Sequence, residues 1–480
     1  MKISKKLALC AALTCSAWAS TSIAATEGDK LAAIQAGLNR LASIQQVDGR
    51  WEYGDDGYDR AATGASLLAF MTQKDKWGTN AADYKTAADK AVSYLLSIAT
   101  KVTNLSTRNT GANICPGGIG TCDGVYWGGG HEVYTTGHVI PGLVEYVKGF
   151  GIPLTDVATI SGPLAGMTWA QIFQANVNQW AAMQTTSGSF RGGWRYNLSG
   201  PAGDADSSTT QWGTISLIYA ESVGATTPAI VKTELDKWLL AVQTASGNSC
   251  YFPLDQGQYY CDHANTGSNL LGLKYLGKLS TDPRVVKAIN WLNTNWQDTA
   301  NNGWFGNFNH PYAMFAVYKG LEVNIGLNNK TAILNLRPNM CFGGANAAVP
   351  GNSGTDGYPG NPANIANCNW WQDYNDWLVD SQQGTGNWPG YDYWNNTLAT
   401  AYHIVILGAA VVPVARCDVN GDQSTDTLDL SLISKARGKA VPPNDVYDTN
   451  QDGSITPADV KFCIPKCTLA NCKAPPQPNP

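Results

Sequence analysis

One joint recurs along most of this chain, and it dictates what the chain can become. A helix-like run ends in glutamine, a glycine and an aromatic ring follow, then a polar turn, then a second apolar run. The first copy is Ile44–Trp51 (IQQVDGRW), leading into Tyr58–Phe70 (YDRAATGASLLAF). Others lie at Gln184–Trp194, Gln243–Phe252, Gln297–Trp304 and Gln382–Trp388, and a degenerate copy at Gly124–Trp127 lacks the glutamine. Repeated units of this kind cannot bury their apolar faces alone and must stack on their neighbours. Helical spacing supports two helices per unit. In Ala61–Phe70 small residues fall on one side and Leu67, Leu68 and Phe70 on the other, and Trp238, Leu239 and Val242 keep the same period. Six helical hairpins with similar joints would close as a ring, with the inner helices' N-termini facing one mouth. The expected fold is therefore all-α, an (α/α)6 toroid over 26–415. The stretch Gly326–Trp370, rich in Gly, Asn and Pro, breaks the rhythm and reads as a surface insertion before the sixth unit.

The Gln-x3-Gly-x-Trp pattern, close at Gln45/Gly49/Trp51 and at Gln382/Gly386/Trp388, resembles the repeat of squalene–hopene cyclases and protein prenyltransferases. The resemblance spans Thr26–Val414. It implies an (α/α)6 toroid in which glutamine and tryptophan tie outer helices together.

Beyond the repeats, Asp418–Asp429 (DVNGDQSTDTLD) and Asp448–Asp459 (DTNQDGSITPAD) each place oxygen side chains at loop positions 1, 3, 5, 9 and 12. That spacing wraps a hard cation in oxygens. Asp418, Asn420, Asp422, Asp426 and Asp429 serve the first loop, with the Ser424 carbonyl at position 7. Asp448, Asn450, Asp452, Thr456 and Asp459 serve the second, with Ser454. Gly453 sits where the second loop turns sharply; Gln423 stands there in the first, which is expected to be the weaker site. Asparagine at position 3, Asp at position 12 and the missing entering helix make the pair resemble a type I dockerin over Arg416–Cys472. The resemblance implies two calcium ions, a module over 416–473, and a cohesin or other surface protein as partner. Residues 474–480 are expected to be a disordered tail.

Residues 1–25 read as a secretory signal: Lys2, Lys5 and Lys6, an apolar run Leu7–Ala19, then small residues to Ala25. That run is too short to span a membrane, and no later stretch is long enough. The expected location is outside the cell, at its surface or in the periplasm. Setting aside Cys10 and Cys15 leaves ten of the twelve cysteines, an even number suited to an oxidising compartment. Spacing suggests Cys115–Cys122, Cys250–Cys261 and Cys341–Cys368 as pairs, with two more in the tail. Without the three signal lysines the net charge falls from −5 to −8, which argues against nucleic acid or an anionic membrane as partner.

For chemistry in the ring, Asp204-Ala-Asp206-Ser207 precedes the helical run TQWGTISLIYA. By its resemblance to the Asp-x-Asp-Asp motif of class II terpene cyclases, Asp206 would be the general acid. A glycosidase would instead pair Asp204 or Asp206 with a carboxylate across the mouth, Glu132, Asp59 or Asp392. A zinc prenyltransferase reading would use His403 and Cys250, but a cysteine paired with Cys261 is no thiolate. All five histidines (His131, His138, His263, His310, His403) follow aromatic joints. With Asp59, Glu132, Asp206, Asp262 and Asp392 they are expected near one mouth, marking a ligand cavity. The reading favoured is a secreted calcium-binding protein whose ring binds a ligand, glycan or apolar, or a surface, and whose tail mediates attachment or assembly. The alternatives are glycan cleavage and terpenoid cyclisation.

Overall fold

The computed structural model describes residues 25–54, 57–106, 112–116, 120–200, 203–300, 303–337, 369–413, 417, 419, 425–438, 447–449, 454–464, 467 and 472–473. The signal segment, most of the insertion with its Cys341 and Cys368, the loop ligands Asp418, Asn420, Asp422, Ser424, Asn450 and Asp452, and the tail beyond Lys473 lie outside them.

Six helices form an inner ring: α2 (Asp59–Thr72), α4 (Glu132–Phe150), α6 (Ser207–Ser222), α8 (His263–Tyr275), α10 (Pro311–Ile325) and α12 (Asn396–Leu407). Each packs on the next, and α12 returns to α2, closing the circle. Six outer helices alternate with them: α1 (Glu27–Ile44), α3 (Ala81–Ser97), α5 (Trp169–Met183), α7 (Ala229–Ala241), α9 (Pro283–Thr294) and α11 (Trp370–Ser381). This is the (α/α)6 toroid. The inner helices are less two-faced than their sequence pattern implies. From Ala61 to Met71 every residue is buried, small and large alike, because an inner helix meets neighbours on both flanks and outer helices behind.

The joints explain the repeat. Gln45 donates through Nε2 to the Gly49 carbonyl in its own turn (2.9 Å) and to the Ala87 carbonyl of α3 (2.9 Å). Gln184 does the same to Gly192 and to Val231 of α7, and Gln243 to Gly247 and to Arg284 of α9. Gln382 bonds Gly386 and Ala33 of α1, both at 2.8 Å, so the last unit is stitched to the first. Tryptophan works the other way, tying each turn to the helix it has just left. The indoles of Trp51, Trp194 and Trp388 donate to the carbonyls of Leu41, Trp180 and Leu378, and Trp127 serves the degenerate joint through Leu95.

A third tie was not read from the sequence. The backbone N–H of Trp51, Trp127, Trp194, Ser249 and Trp388 donates to the hydroxyl of Thr63, Thr136, Thr210, Thr266 and Thr400 on the following inner helix. A threonine within a helix ordinarily reads only as a weak helix former.

Two features add to the helical ring. Between α3 and α4, β1 (Thr100–Leu105) and β2 (Cys122–Tyr126) form an antiparallel pair. At the start of the expected insertion, exposed residues such as Asn328, Lys330 and Leu334 alternate with buried ones. Leu327, Ile333 and Leu336 are buried, and Leu336 offers the carbonyl that Gln297 reaches in place of an outer helix.

Disulfides join Cys115–Cys122, Cys250–Cys261, Cys417–Cys463 and Cys467–Cys472. Among its described residues the C-terminal module has two short helices, α13 (Thr427–Ala436) and α14 (Pro457–Cys463). Its core is small: Cys417, Ile433, Ala436, Ile455 and Cys463, with Leu430, Tyr447, Val460 and Phe462 partly buried around it. Among the described residues no helix is long and apolar enough to cross a membrane.

Candidate functional site: an aromatic cavity in the ring

The N-terminal ends of the inner helices converge on a cavity of about 620 Å³. Eight tyrosines and three tryptophans account for eleven of its eighteen described lining residues, joined by His131, His138, Ser208, Asp262 and Asn265. His138 stacks on Trp212 (centroids 3.7 Å apart), and His131 stacks on Tyr196 (4.0 Å) while its Nδ1 bonds the Tyr58 hydroxyl at 2.7 Å. Trp304 stacks on Tyr393 at 5.8 Å, on the more exposed side. Burial holds both lining histidines toward their neutral form, His138 down to about 3; the Arg195 charge adds to the effect at His131.

Asp206 lies beside this cavity as the N-cap of α6, and its two oxygens are fully engaged. Oδ1 accepts from the Thr209 N–H (2.8 Å) and the Ser208 hydroxyl (2.6 Å); Oδ2 accepts from Arg195 Nη1 (2.6 Å) and the Tyr251 hydroxyl (3.0 Å). Because Ser208 spends its proton on Asp206, Tyr134 donates in the 2.7 Å contact between the two hydroxyls. An acid catalyst needs a proton aimed at its substrate; four donors converging here make Asp206 an acceptor and an anchor. Asp204 lies 3.4 Å from the same arginine. Sequence reasoning overlooked Arg195, which also lies 4.2 Å over the Tyr196 ring.

The other expected residues scatter. Glu132 accepts from the backbone N–H groups of Leu198 and Ser199, pinning that turn. Asp59 opens α2, bound to the Tyr53 N–H and 3.2 Å from Arg50. His263 bonds the Asn295 carbonyl (2.8 Å), and His310 caps α10; both are buried in the wall. Asp392 stands on the rim at φ 51°, beside a shallow depression that it lines with Trp394 and Asn395. His403 is packed edge-on between Trp377 and Trp388 and belongs to the core, far in character from a metal ligand.

Asp262 is the carboxyl that does line the cavity. It caps α8, accepting from the Asn265 N–H at 2.9 Å, and burial pushes its pKa up to about 8. No lysine or arginine is among the described lining residues.

His403 gives a measurable pH dependence. Burial lowers its pKa to about 3, while the unfolded imidazole keeps its ordinary 6.5. A depressed value means stability present above pH 6.5 is lost as pH falls toward 3, at about 2 kcal/mol by pH 5. His403→Phe is expected to show a smaller fall in melting temperature between pH 7 and pH 5 than the native chain. Equal slopes would disprove the assignment.

In the C-terminal module Asp429 accepts from the N–H groups of Val419 (2.9 Å) and Asp426 (3.0 Å), and Asp459 accepts from Thr456 N–H (2.8 Å). Asp426 is fully buried, and its Oδ2 has no hydrogen-bond partner among the described residues. A buried, orphaned carboxylate oxygen fits a cation. Residues 416–465 match the dockerin type I domain. Domains of this type bind calcium and dock onto cohesins. No curated protein matches the chain. Solved structures similar to it include the type II terpene cyclase MstE from Scytonema (14% identity, 80% of this chain and 99% of that one, TM-score 0.41). A variant of that cyclase in complex with geranylgeranyl dihydroxybenzoate matches at 15% identity over 80% and 97%, with TM-score 0.41. A protein from Actinoplanes matches at 13% identity over 79% and 99%, with TM-score 0.31. The ring assignment rests on the chain's own helix packing.

Proposed function

We propose that this is an exported, calcium-binding two-module protein. Its toroid, over 26–415, takes a ligand into the aromatic cavity. Its dockerin module, over 416–473, holds two calcium ions and fixes the protein to a cohesin or another surface protein. The observation that carries the ligand-binding reading is the open cavity of about 620 Å³ faced by stacked aromatic rings, a lining suited to stacking against a ligand. The four disulfides among the described residues favour export to an oxidising compartment. The loop ligands Asp418, Asn420, Asp422, Ser424, Asp426 and Asp429, and Asp448, Asn450, Asp452, Ser454, Thr456 and Asp459, would supply the oxygens; a calcium ion there organises the loop. Two ions per chain in a calcium titration test that count.

A second reading, acid-catalysed turnover of a glycan or a terpenoid, draws on the buried Asp262 carboxyl on the cavity wall. Asp206→Asn separates the roles. It keeps the N-cap but weakens the Arg195 pairing. Binding is expected to survive within about threefold, as for a residue that only anchors the wall. Complete loss of a measured turnover in this variant would restore Asp206 as the acid. Crystals soaked with a panel of glycans and isoprenoids test the cavity itself; an empty cavity throughout would remove the ligand-binding reading.

A further inference from the structure

The lining of the cavity carries a charge asymmetry that a plain apolar pocket does not need. Its described lining is eight tyrosines and three tryptophans with one carboxyl, Asp262, and no lysine or arginine; the face of an aromatic ring is electron-rich. The positive groups nearby are neutralised. Arg195 is paired with Asp206 and lies near Asp204, two carboxylates against one guanidinium. Lys319 is fully buried between Phe315 (4.1 Å) and Trp212 (5.3 Å), and burial pushes its amine well below the ordinary lysine range. One side-chain cation thus already rests on an aromatic face beside this site, Arg195 over Tyr196.

Resting on the ligand-binding reading above, we propose that the cavity binds an organic cation of the quaternary or alkylated ammonium class, held by the Tyr and Trp faces with Asp262 as its counter-ion. An alkylammonium head is weakly hydrated and gains most from aromatic faces. A hard metal ion would need six or more oxygens, which one carboxyl with scattered hydroxyls does not provide. A neutral apolar ligand would make no use of a carboxyl on the cavity wall. Burial keeps that carboxyl protonated near neutrality, and an arriving cation favours its ionised form, so binding at pH 7 releases a proton to the buffer. The titratable groups beside it, His263 and Tyr312, are both held neutral by burial and take no part in the release.

The test is calorimetry on the whole, calcium-loaded chain with choline, with benzyltrimethylammonium, and with 3,3-dimethyl-1-butanol, the uncharged carbon counterpart of choline. At least one cation is expected to bind with Kd below about 1 mM and at least about tenfold tighter than the alcohol, with a heat that differs between phosphate and Tris buffers. Asp262→Asn retains the N-cap, so it should fold; it is expected to weaken the cation at least about tenfold, leave the alcohol unchanged and abolish the buffer dependence. If the alcohol binds as well as the cations, the charge inference is overturned while the ligand cavity stands. If no probe binds yet a soaked glycan or isoprenoid does, the inference falls and the reading it rests on survives. If nothing binds at all, both fall.

Discussion

Gly386→Ala is expected to unfasten the ring at its seam and to cost about 3 kcal/mol or more, a large share of any domain's stability. Gly386 sits at φ +85°, a left-handed conformation that costs an L side chain about 1–2 kcal/mol. An added Cβ would also land against the Ala36 carbonyl oxygen of α1, well inside contact distance. Backbone cannot swing away as a side-chain tip can, so the two outer helices must part. That would break the Gln382 bond to Ala33, which joins residues 349 apart in sequence. Gly384→Ala is the matched control, because its Cβ would meet nothing within 4 Å and its backbone carries no positive φ. Thermal unfolding of the two variants is the measurement. Melting of Gly386→Ala within a degree of Gly384→Ala would sink this account of how the ring closes.

The joint was legible in the sequence because its chemistry is local. Gln382, Gly386 and Trp388 sit within seven positions, and each has a duty that few other residue types could perform. The cavity was not legible for a physical reason. Trp51, Trp194 and Trp388 are struts inside the wall, whereas Trp304, which also closes a joint, faces the cavity with Trp212 and Trp394, and no local pattern marks those three as lining. The histidines show the same limit. His131 and His403 both follow an aromatic joint, but His131 caps a helix at the mouth and His403 lies well inside one, so a shift along the helix buries it in the core. The Asp206 region was half legible: the carboxylate at the head of α6 was visible, but Arg195 and Tyr251 come from neighbouring turns. Their partnership changes Asp206 from a plausible proton donor into an acceptor.

Chelating calcium is expected to unfold the dockerin module and leave the toroid's main unfolding transition in place. Among the described residues the module's core has five buried side chains, two of them the cysteines of one disulfide, a small apolar surface to set against chain entropy. The Cys417–Cys463 bridge removes unfolded-state entropy worth about 4 kcal/mol at most. Without an ion, however, the acidic loops repel themselves, and Asp426 Oδ2 stays buried with no hydrogen-bond partner among the described residues. At a thousandfold excess over Kd each bound ion adds about 4 kcal/mol, comparable with the disulfide and able to decide whether the module folds. Trypsin reads this directly, because Lys435, Arg437 and Lys461 lie on or beside the two short helices. In calcium these sites should resist cleavage; in chelator they should be cut first, while the ring remains as one large fragment. Asp426→Ala should reduce the calcium stoichiometry by one and expose Lys435 and Arg437 even with calcium present. Identical cleavage with and without chelator would mean that the disulfides alone fold the module, and the loops would lose their role as its organising centre.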